Sequence, residues 1–446
     1  MQNTSIQPRL KTFDLTMIVV SLVIGMGIFR SPPEVAQQAK LPMIFFLVWI
    51  TGAVISFIGA LTFAEIGSRY PAAGGFYKIF SYCYHPSFAF MVNWITVISN
   101  AASTAGVAIM GAEYMAPILF PTWEHSIAIQ TITISSVVVL FAINMLGIKV
   151  SAKVLNVLMI IKISLLLLLI AAMFFVRGEN TQETITSTPQ TFSQLTEAFA
   201  LCFIFVFFTY GGYQQTMNFG SDVPNAHKTL PRAIFYGMCI VLVLYLSVNY
   251  SYYKVLGFTG LQNTTTLASD ITGLMFGNMA SKLVSVIMFF SVMAYVNVSV
   301  MSNPRVYYAM AEDKVMPGIF KRVNPKTQVQ EFGVSLFCIF ILLTLFFMSS
   351  FQKILQYVMF FDSISLIAAA ATVYILRHRA KTEPANTDVF KIKGYPYLPA
   401  LYILVYMAVN ASVLLANPTA ALIGFILFVS GFPLYYLIKF GLTYKK

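Results

Sequence analysis

Long apolar runs alternate with short charged or Pro/Gly-rich stretches along the whole chain, and this pattern predicts helices of membrane-spanning length from end to end. Twelve such segments can be read: Phe13 to Ala39, Met43 to Ile66, Phe88 to Ile118, Ile127 to Gly147, Val154 to Val176, Gln194 to Phe219, Ala233 to Leu256, Met279 to Ala311, Phe332 to Met348, Ile354 to Leu376, Leu398 to Ala416, and Ala420 to Phe440. Barrel strands would alternate every second residue, so unbroken runs of this length exclude a transmembrane β-barrel. The expectation is an all-α membrane protein with a single transmembrane domain over residues 1–446.

Composition strengthens this picture. Of 446 residues, 58% are hydrophobic and only 10% charged, whereas a soluble domain carries about 25% charged residues. The net charge of +12 would suggest a nucleic-acid partner in a soluble chain, but its placement gives another answer. With the N-terminus taken as cytoplasmic, 21 of the 28 lysines and arginines fall on the inner side and six on the outer, leaving Lys162 inside a helix. Such asymmetry fits an even number of spans with both termini inside, and assigns the charge to topology and anionic lipid rather than nucleic acid. The first apolar run is too long for a signal peptide and lacks a small-residue cleavage site, so it is expected to remain as a membrane helix. Cys83, Cys202, Cys239 and Cys338 show neither metal-ligand spacing nor a disulfide framework. No cofactor is implied.

Two segments are interrupted by glycine at their middles, the first at Gly25-Met26-Gly27 and the sixth at Tyr210-Gly211-Gly212-Tyr213. Each opens a set of five helices, over 13–176 and 193–376, with two added helices over 398–440. Because five is odd, the second set enters the membrane from the opposite face; matched interruptions in such an inverted repeat point to a midplane binding site. Unwinding near Gly25 would turn the amides of Gly25, Met26 and Gly27 towards an anionic group. The carbonyls of Val23 and Ile24, with those of Phe207 and Phe208 where the sixth helix breaks, would then face a cation. Two carbonyl-rich ends beside one amide-rich end suit a small zwitterion, of which an α-amino acid is the commonest example.

The residues around these breaks resemble a known family. Ile24-Gly25-Met26-Gly27-Ile28-Phe29 is similar to the first-helix GxGIF motif of the amino acid, polyamine and organocation (APC) transporter superfamily. Ala64-Glu65-Ile66-Gly67-Ser68-Arg69-Tyr70-Pro71, Gly74-Gly75-Phe76-Tyr77, Phe208-Thr209-Tyr210-Gly211-Gly212-Tyr213, Leu230-Pro231-Arg232-Ala233-Ile234 and Arg305-Val306-Tyr307-Tyr308-Ala309-Met310-Ala311 follow in the family's order. The nearest branch is the L-amino acid transporter (LAT) type, whose sixth helix reads F-A-Y-G-G-W. The resemblance implies a LeuT-type fold with broken helices 1 and 6, a gating aromatic at Phe208, with Tyr210 beside the same break, and a main-chain contact to the substrate amine at Gly211. The sequence departs from the pattern at Ser221-Asp222, where an acidic pair is usual, at Tyr213 in place of Trp, and at Pro304 in place of a small residue. The first two bear on gating and the third on a kink in helix 8.

Charges within the spans are few. Lys162 lies about eight residues, or about 12 Å, into the fifth segment. In the APC family a lysine at the matching position accompanies sodium independence. The resemblance therefore implies that the Lys162 ammonium fills the cation space between helices 1 and 8, with Ser299 as its hydroxyl partner. Glu65 lies four residues before Arg69, a spacing that pairs them on one helix face. Asp362, nine residues beyond Lys353 and well inside the tenth segment, is a costly group there unless satisfied or functional. Both carboxylates are candidates for proton handling or for structural contacts. Arg30 is a candidate either for a substrate carboxylate or for a headgroup anchor, and Asn93, Trp94 and Asn100 for pocket lining or interhelical bonding.

These readings converge on sodium-independent secondary transport of amino acids in the cell membrane, by exchange or with protons. Neutral substrates are favoured because no second intramembrane charge is seen to face the site. A polyamine or organic-cation permease of the same fold is the alternative. A channel is disfavoured by the absence of a carbonyl filter run such as TVGYG, and an enzyme by four histidines placed at or near segment ends with no HExxH, GxSxG or P-loop.

Overall fold

Lipid offers backbone amides no hydrogen-bond partners, so a chain this apolar must satisfy them internally. The computed structural model describes residues 9–25, 27–72, 74–176, 191–264, 267–347, 351–382, 388–416 and 418–443. Met26, Arg177, Lys445 and Lys446 lie outside the described residues. Those described form α-helices and short 3-10 turns, with no strand among them. In chain order the helices are α1 (Thr12–Val23), α2 (Gly27–Ala39), α3 (Pro42–Arg69), α4 (Gly75–Cys83), α5 (Pro86–Leu119), α6 (His125–Met145), α7 (Ile148–Phe175), α8 (Phe192–Tyr210), α9 (Ala226–Asn263), α10 (Leu267–Phe276), α11 (Asn278–Ser302), α12 (Pro304–Glu312), α13 (Glu331–Phe347), α14 (Phe351–Arg379), α15 (Tyr397–Ala416) and α16 (Pro418–Thr443). Among the described residues, eight helical stretches are long and apolar enough to cross a membrane.

Packing places α5 at the centre, against α6, α11, α13, α14 and α16. Its most apolar stretch is 83% buried, against 28% for α6 at the periphery. α1 packs on α9, α7 and α11, while α2 packs on α8, so both halves of the first interrupted helix lie inside the bundle. Large side chains such as Met43, Phe174, Phe175, Val243 and Leu274 are exposed on the outer surface. A hydrophobic exterior of this kind is stable against lipid and not against water.

Three local features depart from the apolar pattern. α4 and α10 are short helices in stretches read as connections. α9 extends past Leu256 to Asn263 through a kink at Gly257, whose φ of 69° is open to glycine. At Pro304 the hydrogen-bond ladder stops, because proline has no N–H, yet Asn303 keeps helical φ and ψ of −64° and −38°. α11 therefore continues into α12 with little change of course.

Candidate functional site

The first interruption falls at Ile24-Gly25, between α1 and α2. The second follows α8, where Gly211 is extended and Gly212 adopts a φ of 114° before the 3-10 turn Tyr213–Asn218. The two breaks lie against each other, and their glycines are what permits it. A Cβ on Gly212 would fall 2.1 Å from the Leu22 carbonyl oxygen, and one on Gly27 would fall 2.9 Å from Thr209 Cα. Thr209 Oγ1 also donates to Ser31 Oγ at 2.9 Å, tying α8 to α2.

A cavity of about 60 Å³ opens between the breaks. Val23, Gly25, Gly27, Phe207, Phe208 and Gly211 line it, together with Asn100 and Ser103 of α5, Gln215, Tyr295 of α11, Asp362 and Ser363 of α14, and Tyr406 of α15. Its ends are electrically distinct. α2 starts at the cavity, and the first-turn amides of a helix have no acceptor within the helix. α8 ends at the cavity, so its last carbonyls present the negative end of the helix dipole.

Ile24 and Tyr210 do not line this space, contrary to the sequence-based expectation. Ile24 is fully buried and its carbonyl accepts a hydrogen bond from Lys162 Nζ. The Tyr210 ring is buried against Trp49 and Tyr245, with centroids 5.8 and 5.1 Å away. The Val23 carbonyl is already engaged as well, accepting from Gly25 N at 2.8 Å and lying 3.0 Å from the Tyr245 hydroxyl. That hydroxyl is also 3.3 Å from the Thr209 carbonyl, so one phenol on α9 bridges the main chain of both interruptions. Nothing in the seventh segment distinguishes Tyr245 from the chain's 23 other tyrosines.

Lys162 is fully buried, and its ammonium reaches the main chain at the first break. Ser299, expected as its partner, instead lies 2.6 Å from Thr104 Oγ1 and accepts from Asn303 Nδ2 at 3.3 Å. Lys162 bonds the backbone just past the end of α1, and Ser299 bonds the side chains of Thr104 on α5 and of Asn303 between α11 and α12; no hydrogen bond joins Lys162 to Ser299 among the described residues. Asn100 both lines the cavity and bonds across helices, its Nδ2 donating to Asn303 Oδ1 at 2.8 Å. Asn93 turns back on its own helix, donating to the Ala89 carbonyl at 2.7 Å.

Glu65 lies away from the cavity and is saturated. Its carboxylate accepts from Arg69 Nε at 2.7 Å, from Arg377 Nε and Nη2 at 2.8 Å each, and from Ile392 N at 2.7 Å. That geometry fastens α3 to α14 and to the segment following it, and leaves no position for a travelling proton. A second buried pair closes the same end of the bundle. Arg305 donates Nε and Nη2 to the Asp222 carboxylate at 2.7 and 3.1 Å, stacks over Phe219 at 4.4 Å, and bonds the Met301 carbonyl. The Asp222 carbonyl takes the amides of Arg9 and Leu10 at 2.9 Å each, so the stretch after the second break is bound to α12 and to the chain's start. Nearby on α4, burial works against the Lys78 charge, but Asp313 and Glu312 outweigh it and hold its pKa above the ordinary value. At the other end Arg30 forms only a loose pair with Glu113, at 3.6 Å and with both side chains about 40% exposed.

Two interrupted helices face each other across a cavity inside a bundle with an apolar exterior, the arrangement of a multi-pass membrane protein with a candidate small-molecule site at its centre. The chain belongs to the amino acid permease family, whose model matches residues 10–439. It is 28% identical over 433 residues to the serine/threonine exchanger SteT of Bacillus subtilis (strain 168), covering 96% of this chain and 95% of that protein. It is 25% identical over 426 residues to the human cystine/glutamate transporter, covering 94% and 83%. To the mouse large neutral amino acids transporter small subunit 2 it is 25% identical over 430 residues, covering 94% and 79%.

Proposed function

We propose that this permease moves amino acids across the cell membrane as a secondary transporter, alternating access to the cavity between its two helix breaks. The observation that carries the proposal is the junction of a helix start at Gly27 and a helix end at Tyr210 around one cavity. An α-carboxylate is matched by the α2 amides, and an α-ammonium by the α8 carbonyls. The family match and the transporter names of its relatives support the same reading.

The architecture proposed with it has twelve spans: two five-helix repeats of opposite orientation over 13–176 and 193–376, and two further helices over 398–440. Both termini lie on the cytoplasmic side. The asymmetry of positive charge and the glycine breaks at the heads of both repeats support this arrangement. Phe208 on the cavity wall is assigned the gate. Lys162 is assigned the place of a coupling cation, since its amino group donates to the main chain where α1 ends.

Counterflow in proteoliposomes tests the function. Labelled amino acid should enter faster when the vesicles hold unlabelled amino acid, and removal of sodium should leave the rate unchanged. Uptake indifferent to internal amino acid would indicate a channel, and loss of uptake without sodium would remove Lys162 from its assigned role.

A further inference from the structure

Asp362 changes what the site can accept. Its side chain borders the cavity at the helix breaks and also a second space of about 30 Å³. Asn100, Gln214, Gln215, Asp362 and Leu366 line both, so the two spaces share a wall. The second contains none of the break residues Gly25, Gly27, Phe208 or Gly211, and is lined instead by Asn93, Thr96, Asn218 and Ser365. An amino acid held by its charged head at the breaks therefore has the Asp362 wall as its route for a side chain.

Most polar groups along that wall are already used. Asn100 donates to Asn303 and accepts from Gln215 Nε2 at 3.4 Å. Gln214 Oε1 accepts the Gly212 amide at 3.0 Å. Asp362 offers two acceptor oxygens, and no hydrogen bond or ion pair to it is found among the described residues. Lys162, the buried cation near the breaks, lines neither space. A carboxylate enclosed in a membrane bundle without a donor is unfavourable, and an apolar substrate side chain beside it would deepen that penalty. A substrate that brings its own ammonium relieves it.

We infer that Asp362 selects substrates with a positively charged side chain, specifically basic amino acids with an ω-ammonium on a short alkyl stem. The inference rests on the amino acid transport reading above and replaces the sequence-based lean to neutral substrates, which depended on no second charge facing the site. Ornithine is the natural probe: its α-groups meet the two helix ends, and its terminal ammonium meets Asp362.

Counterflow of labelled L-ornithine, L-serine, L-leucine and L-glutamate, each into vesicles loaded with the same amino acid, tests this on the unaltered protein. Ornithine should exchange with a kcat/KM at least about tenfold above leucine and glutamate, as expected for a charged hydrogen bond present in one case and absent in the others. In Asp362→Asn the ratio of ornithine to serine exchange should fall by about tenfold or more. Leucine exchanging as well as ornithine in the unaltered protein would overturn the inference and leave the transport reading intact, whereas no counterflow with any amino acid would overturn both. If Asp362→Asn kept the ornithine preference but lost uptake driven by an inside-alkaline pH gradient, the carboxylate would be a proton carrier and the inference would fail.

Discussion

Lys162→Ala is expected to abolish amino acid counterflow, to below about one hundredth of the unaltered rate, while the protein still reaches the membrane. Lys162 is fully buried and its ammonium bonds the Ile24 carbonyl, at the point where α1 ends and its last carbonyls lose their intrahelical partners. Alanine leaves that carbonyl without its donor and removes the amino group from beside the site. A hydrogen bond to a charged group contributes about 1.5–3 kcal/mol, and an acceptor left unsatisfied adds a comparable penalty. The helix elsewhere loses nothing, because alanine is a good helix former. Uptake by the variant in proteoliposomes, normalised to the protein inserted, gives the answer; kinetics equal to those of the unaltered chain would mean that Lys162 is merely a packed side chain.

Arg305→Ala is expected to produce the largest loss of stability, about 3–5 kcal/mol, because it strands the Asp222 carboxylate in a buried position. Asp222 and Arg305 are 2% and 3% exposed and share two hydrogen bonds. Arg305→Lys should recover only part of the loss, since an ammonium cannot reproduce the planar fork or its stacking over Phe219. Arg69→Ala offers an internal comparison. Glu65 would keep both Arg377 bonds and the Ile392 amide, so its loss should be much smaller. Thermal unfolding of the purified variants in detergent would measure the order, and equal midpoints for Arg305→Ala and Arg69→Ala would contradict this account of the Asp222 pair.

What the sequence could show and what it could not divide along the range of the interactions. The apolar runs, the glycines at both breaks, the i,i+4 pairing of Glu65 with Arg69 and the burial of Lys162 are local, and each is legible in a window of a few residues. The bonds that give these residues their roles are not. Arg377 lies 312 positions from Glu65, Tyr245 lies 222 from Val23, and Arg305 lies 83 from Asp222. Helix geometry alone leaves the Val23 and Ile24 carbonyls open to a substrate ammonium. Tyr245 and Lys162, brought in by α9 and α7, meet those carbonyls first. Tyr210 adjoins the break in sequence, but the turn of α8 sends its ring into the Trp49 and Tyr245 cluster. The sequence marks Asp362 as a charge within a span, and only the packing of α14 against α5 and α15 shows which space it borders.

An amino acid held by the start of one helix and the end of another must carry both of its α-charges. In counterflow with the best amino acid substrate, the α-carboxamide and the N-acetyl derivative of that substrate each lack one of them. Each is predicted to compete about a hundredfold more weakly than the parent, the loss of one charged interaction in a buried site. Competition by either derivative at the parent's own concentration would contradict a site built on the α2 amides and the α8 carbonyls.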